Sequence, residues 1–211
     1  MIKLFFSNYE NKLNEADFFK YLSLFPEEIK NRILRFKKWE DRQAGLYGKL
    51  LLKKGLEELG LDSSLIELKY TQYGRPYLDH NPDFNISHSA GYVACTITTN
   101  GKIGIDIEAI KATPIDDFKE QFSKEEWNTI TTSNDKYFWF YYYWTAKEAV
   151  IKAEGKGLNI PLKSIAIKNS KAKIEHTVWH IKRIDFDNNY LLQIASDKAI
   201  QEKIDLSEIV F

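Results

Sequence analysis

The chain is 211 residues long, enough for one large domain or two small ones packed together, and 44% of it is hydrophobic, enough for a substantial core. Its 30 basic and 30 acidic residues cancel with no long run of either sign, which argues against the basic face that unspecific duplex binding needs and leaves room only for a local cationic pocket. One cysteine, Cys95, excludes intrachain disulfides and cysteine-based zinc sites; with no signal-peptide core and no membrane-spanning apolar run, a cytoplasmic protein without nucleic-acid or membrane partners is expected.

In chain order, IKLFF at residues 2–6 reads as a strand, and residues 14–36 read as two helical pieces broken near Pro26. Residues 40–60 carry an amphipathic pattern stopped by Gly60, the mark of one long helix. LIELKY (65–70) and FNISH (84–88) read as strands, separated by a turn around Gly74, Arg75 and Pro76. YVACTITT (92–99) and KIGIDIE (102–108) flank Asn100-Gly101, the preferred pair for a tight hairpin turn, and are predicted to pair with each other. Ser123 and Glu126 have capping-box spacing ahead of a helix through Trp127. The aromatic run YFWFYYYW at 137–144 leads into TAKEAVIKAEG; a helix apolar on all sides should lie between two layers. SIAIK, KAKIEH, VWHIKRI and YLLQIAS then alternate like antiparallel strands. This order of helices, strands, helices and strands predicts an α+β fold of two similar halves joined near residues 100–110, with a weak echo between AGLYGKLLLKKGL and YYYWTAKEAVIKAEGKGL.

In GKIGIDIEAI (101–110), Ile103, Ile105 and Ile107 share one strand face, leaving Gly104, Asp106 and Glu108 on the other. The two acidic residues are then roughly 6–7 Å apart at the backbone and can converge on one cation. In the hairpin register Cys95 would lie opposite Asp106 and Val93 opposite Glu108, an apolar setting in which unpaired carboxylates are costly. A hard cation such as Mg²⁺, which takes oxygen ligands, removes that difficulty; the plainer alternative is an edge strand with solvated acids. Trp144, Glu148 and Lys152 share one helix face, either as an ordinary i,i+4 pair or, so close to a buried aromatic stretch, as groups lining a cleft. Ser87, His88 and Ser89 are a polar strand end or a phosphate-binding group. The turn Tyr73-Gly74-Arg75-Pro76 offers backbone groups and a guanidinium to a base or a phosphate. Lys30, Arg32, Arg35, Lys37, Lys38 and Arg42 place six cations in thirteen residues, about half of which a solvated helix face accounts for.

Taken in order, YGRP, FNISHS, GIDIE and WTAKEAVIKAEGKGL resemble the 4′-phosphopantetheinyl transferase superfamily, in its long Sfp-type branch, from about residue 25 through residue 165. The resemblance implies two pseudo-symmetric α+β subdomains, each an antiparallel sheet with a long packed helix, and an active site in the groove between them. Residues 1–102 would form the coenzyme A nucleotide side and residues 103–211 the metal and carrier side. It implies a holo-carrier-protein synthase, which moves 4′-phosphopantetheine from coenzyme A to a serine of an apo acyl or peptidyl carrier protein and releases adenosine 3′,5′-bisphosphate.

By motif, Asp106, Glu108 and Glu148 would hold Mg²⁺, or Mn²⁺ in its place, with Asp106 also lying against coenzyme A. Lys152 would contact the phosphate nearest adenosine and stabilise charge on the leaving group, while Glu148 or Glu108 would accept the serine proton. Ser87 and His88 would meet the nucleotide phosphates, and Tyr73, Gly74, Arg75 and Pro76 would hold adenine. Where the family carries a basic residue on its long helix this chain has Ala44, which leaves Arg42, or Lys30 and Arg32, for the 3′-phosphate. Phe118 and Phe122 are either apolar anchors for the carrier or core residues. At this length the chain resembles fused, monomeric members, often of secondary metabolism. A metal-dependent phosphodiesterase or nuclease would use the same acids but leaves YGRP and NISHS unexplained. An idle relative that binds carriers or coenzyme A without turnover is at odds with the intact set Asp106, Glu108, Glu148 and Lys152.

Overall fold

The computed structural model describes residues 1–200 and 203–211. Along the chain lie β1 (Ile2–Asn8), α1 (Glu15–Leu22), α2 (Glu27–Leu34), α3 (Trp39–Glu58), β2 (Lys69–Tyr70), β3 (Pro76–Tyr77), β4 (Asp83–Ser89), β5 (Tyr92–Thr98) and β6 (Ile103–Ala109). After these come α4 (Lys124–Thr132), α5 (Lys136–Glu154), β7 (Lys171–Ile174), β8 (Thr177–Ile184), β9 (Tyr190–Ser196) and β10 (Asp205–Glu208). Side-chain caps set the starts of α1, α4 and α5: Asn14 accepts from the Asp17 amide, Asp135 from that of Phe138, and Ser123 with Glu126 closes the expected capping box. Gly155, at φ 82°, ends α5 in the left-handed conformation that residues with a Cβ avoid.

The fold is α+β and has four layers. One sheet runs β10-β1-β5-β4, antiparallel except that β10 lies parallel to β1; the other runs β6-β9-β8-β7, wholly antiparallel. Strand alternation assigns each face. Phe5, Val93, Cys95 and Ile97 point from the first sheet to α3 and pack on Leu51, Leu52 and Leu56. Leu4 and Ala94 point the other way, onto Ile103, Ile105, Ile107, Leu192 and Ile194 of the second sheet. The far face of the second sheet carries Trp179, Ile181 and Ala195 against Ala146, Ala149, Val150 and Ala153 of α5. Each sheet is thus backed by one long helix, and the two sheets share the isoleucine face of GIDIE as common core.

Several sequence expectations change. β5 and β6 do not form a hairpin: β5 is flanked by β1 and β4, and β6 pairs with β9, so Gln193 lies opposite Asp106 and Leu191 opposite Glu108, not Cys95 and Val93. Gly101 does take the positive φ its turn needs, 79°, but the turn passes the chain from one sheet to the other. LIELKY supplies only the two residues of β2, and SIAIK is not a strand. Of the eight aromatics at 137–144, only Phe140 and Tyr141 are buried; the others stack on one another at a half-buried surface beside α4. Phe122 is core, and Phe118 packs edge-on against Phe140 and Trp144.

Candidate active site

β4 and β6 run side by side where the two sheets meet, and their junction is built from side chains. The amides of Ile103, Ile105, Ile107 and Ala109 donate to Asp83 Oδ2 (2.8 Å), Asn85 Oδ1 (3.1 Å), Ser87 Oγ (3.3 Å) and Ser89 Oγ (3.3 Å). Every second residue of β4 supplies an oxygen to every second amide of β6. Backbone donors that would be orphaned at a strand edge are satisfied, and the sheets are held in register.

On this seam sit the acids. Asp106 is 3% exposed; its Oδ1 accepts from Ser87 Oγ at 3.0 Å and from Lys152 Nζ at 2.6 Å, while its Oδ2 is buried with no hydrogen-bond partner. Lys152 Nζ also donates to Ser87 Oγ at 2.8 Å. Glu108 accepts from Ser89 Oγ at 2.8 Å. Glu148, one helical turn before Lys152 on α5, has no hydrogen bond or ion pair among the described residues. α5 reaches this depth because Gly104 lets it: a Cβ there would overlap the Ala149 carbonyl oxygen and the Ala153 amide.

All three carboxyls titrate above the ordinary range. For Asp106 the cause is burial, which outweighs the Lys152 ammonium and the Ser87 hydrogen bond because Oδ2 has lost water without gaining a donor. For Glu108 and Glu148 burial leads and the charge of Asp106 adds to it, with Lys152 opposing both. His88 is shifted down, first because the surrounding walls displace water from its ring even though its own edge is exposed, then by the charge of Lys152.

Two cavities flank the 73–76 turn and share Gly74, Pro76 and Ile86 as walls. One of about 260 Å³ is lined by Tyr73, Arg75, Asn85, Glu148 and Lys152. The other, about 440 Å³, is lined by Arg32, Arg35, Lys49, His88 and Tyr70 and, among the described residues, by no acidic side chain. Arg32 holds its guanidinium 3.6 Å from the centre of the Tyr70 ring. Arg75, on the wall of the smaller cavity, commits its guanidinium to the seam, donating to both Asp83 oxygens at 2.8–2.9 Å and to the Ile103 carbonyl at 3.1 Å.

The groove therefore brings together Arg32, Tyr73, Gly74, Arg75, Pro76, Ser87, His88, Asp106, Glu108, Glu148 and Lys152. Of the residues expected to clamp the 3′-phosphate, Arg32 lines the larger cavity, while Lys30 and Arg42 lie outside both. Ile29, Arg32 and Ile33 form the stripe of α2 that faces the cavity, so Lys30 points elsewhere and pairs with Glu27 at 3.5 Å. Arg42 turns back to donate to the Phe36 carbonyl at 2.6 Å and lines a separate cleft with Phe19 and Trp39. Sequence reasoning passed over Lys49 and Asn85; the visible signal for Lys49 was a cation on the Gly45-Gly48 face of an otherwise apolar helix stripe.

The donor set is all oxygen, and Asp106 carries an orphaned buried oxygen beside two mutually repelling carboxyls. That chemistry fits a hard divalent cation. Among the described residues, however, no three acidic, histidine or cysteine side chains are placed so that they could share a metal ion, and the positive charge against Asp106 is the Lys152 ammonium.

Comparison with known proteins agrees with the motifs. A family model described as the 4′-phosphopantetheinyl transferase superfamily matches residues 102–196, and one described as 4′-phosphopantetheinyl transferase, N-terminal, matches residues 12–100. The chain is 31% identical over 199 residues to 4′-phosphopantetheinyl transferase Sfp of Bacillus subtilis (strain 168), covering 89% of this chain and 88% of the relative. It is 32% identical over 176 residues to 4′-phosphopantetheinyl transferase gsp of Aneurinibacillus migulanus, covering 82% and 74%. It is also 32% identical over 171 residues to the human L-aminoadipate-semialdehyde dehydrogenase-phosphopantetheinyl transferase, covering 72% and 55%.

Proposed function

The chain belongs to the 4′-phosphopantetheinyl transferase superfamily, and on that premise we propose that it moves 4′-phosphopantetheine from coenzyme A to a serine of an apo acyl or peptidyl carrier protein, releasing adenosine 3′,5′-bisphosphate. The observation that carries the reading is the seam itself: Lys152, Asp106 and Ser87 within hydrogen-bond distance of one another, two further carboxyls beside them, and a cationic cavity next door.

Arg32, Arg35 and Lys49 on the otherwise largely apolar wall of the larger cavity suit the phosphorylated nucleotide end of coenzyme A, with the 73–76 turn between it and the acids. Lys152, which lines the smaller cavity, stabilises charge that develops on the departing phosphate oxygen when the serine oxygen bonds to the phosphorus bearing pantetheine. The serine proton passes to a carboxylate. Glu148 is favoured over Glu108 because it lines the cavity and, among the described residues, has no hydrogen bond to give up, and burial raises its basicity above that of an ordinary carboxylate. Asp106, Glu108 and Glu148 would hold Mg²⁺, or Mn²⁺, which when bound supplies positive charge to the pyrophosphate.

The division into residues 1–102 and 103–211 belongs to the same reading. The cavity cations Arg32, Arg35 and Lys49, and the imidazole of His88, come from the first part and the acids from the second, although β10 returns to the first sheet. Among the described residues no helix is long and apolar enough to cross a membrane. A monomer acting in the cytoplasm, on carriers of secondary metabolism, completes the proposal.

The test is direct. Incubation with an apo carrier protein, coenzyme A and Mg²⁺ should add one phosphopantetheine to the carrier by mass spectrometry. EDTA and Glu148→Ala should each abolish the addition. No modification across a broad panel of apo carriers would overturn the proposal. Hydrolysis of a phosphodiester instead would favour a water-cleaving enzyme, and coenzyme A binding without transfer an idle relative.

A further inference from the structure

Four oxygen-bearing side chains of β4 meet four amides of β6, but the rungs are not alike. Those at Asp83 and Asn85 only accept, and the β6 residue whose side chain would stand between them is Gly104. Those at Ser87 and Ser89 accept an amide proton and also donate their own, each to the acid that precedes the amide: Ser87 to Asp106 and Ser89 to Glu108. Hydroxyl rungs thus fall at the two places where β6 carries an acid.

A serine hydroxyl has one proton and two lone pairs. Ser87 uses all three, accepting from Ile107 and Lys152 and donating to Asp106, so its hydrogen-bonding capacity is spent within the seam. Ser89 accepts from Ala109 and commits its only proton to Glu108. Because the amides belong to a paired strand and do not swing, each hydroxyl oxygen is pinned, and the carboxylate it serves is pinned in turn. Glu108 needs this more than Asp106 does. It is longer, it is pushed away by the charge of Asp106, and Ser89 is its one hydrogen-bond donor among the described residues.

We propose that Ser89 is a positioning residue for the transfer reaction, holding Glu108 as Ser87 holds Asp106, so that the register between β4 and β6 sets the geometry of the acid pair. This rests on Glu108 being part of the reacting site, and the experiment separates the two ideas. Ser89→Ala should lower kcat on the order of tenfold while KM for coenzyme A stays within about twofold. Ser89→Thr, which keeps the hydroxyl, should restore kcat. In a Glu108→Gln background, Ser89→Ala should have almost no further effect, because a group acting through Glu108 has nothing left to hold. If Glu108→Gln retains full kcat, Glu108 is not part of the site. If Glu108→Gln is impaired and Ser89→Ala is not, or if the two losses simply add, the positioning role is overturned. Should Ser89→Ala fail to fold, Ser89→Asp keeps an oxygen for the Ala109 amide but repels Glu108. A folded Ser89→Asp with undiminished kcat would equally overturn the proposal.

Discussion

Lys147 and Glu126 form an ion pair of 2.7 Å in which the two side chains are 1% and 3% exposed. Lys147 also donates to the carbonyls of Gln121 at 3.0 Å and Leu162 at 3.1 Å, and Glu126 accepts from the amides of Ser123 and Ile167, both at 2.8 Å. One buried contact therefore ties α5, just before Glu148, to the start of α4, to the chain ahead of it and to the segment that follows α5. Burial pushes the Lys147 ammonium pKa down, against the pull of Glu126, so the charge depends on its partner. Lys147→Met and Glu126→Gln should each lose about 3–5 kcal/mol in urea unfolding, and the double variant less than their sum. Strictly additive losses would mean that the two do not act as a pair.

Gly104 predicts a sharp steric penalty. Since the atoms its missing Cβ would meet are backbone of α5, they cannot rotate away, and Gly104→Ala must push the helix off the sheet. A loss of more than about 4 kcal/mol, or failure to fold, is expected in thermal unfolding. A folded, fully active Gly104→Ala would show that the helix does not need this close approach.

The buried amine of Lys49 gives a pH signature. Burial lowers its pKa from 10.5 to about 8; the neighbouring Cys95 thiol, itself raised to about 12, opposes this and Arg32 adds a smaller push down, while Arg35, His88 and Tyr70 line the same cavity. The folded state thus binds this proton less tightly than the unfolded one. Below about pH 8 the charge costs stability on the order of 3 kcal/mol, and the cost fades as pH rises toward the unfolded value of 10.5. Lys49→Met should accordingly stabilise the ligand-free protein at neutral pH, with the gain shrinking above pH 8. A gain independent of pH would assign it to packing instead.

Metal addition should follow the acids. With raised folded pKa values, Asp106, Glu108 and Glu148 favour the fold while protonated, and that contribution is lost as pH climbs through their unfolded and then their folded values. A divalent cation bound to these acids would offset the loss. Mg²⁺ should raise the melting temperature by a few degrees near neutral pH and by little near pH 4, with the rise removed by EDTA and reduced in Glu148→Gln. Equal shifts at both pH values would place the ion elsewhere.

The period-two pattern of GIDIE displayed its two faces, because a strand between two layers must alternate whatever its neighbours are. It did not display its partner. Asn100-Gly101 encodes a backbone angle at Gly101, not the destination of the next strand, and both edges of β5 were already taken. The i,i+4 spacing brought Glu148 and Lys152 to one face, and the structure carries that face to the seam. The rungs Asp83, Asn85, Ser87 and Ser89 read only as a polar strand, because an acceptor's meaning depends on which amide stands twenty positions away. Lys30 and Arg42 looked equivalent to Arg32 in a cationic run; helix phase, not charge, separates them.

β10 joins β1 in parallel, with Leu4 beside Leu206 and Phe6 beside Glu208. During synthesis, the outer edge of β1 must therefore wait, its amides and carbonyls open to any stray strand, until the entire second sheet has left the ribosome. The first sheet is begun early and closed late, so a nascent chain cannot complete one half of its groove before making the other. Truncation ahead of residue 205 should accordingly yield a protein that aggregates through the exposed β1 edge, even though every residue of the acid seam is still present.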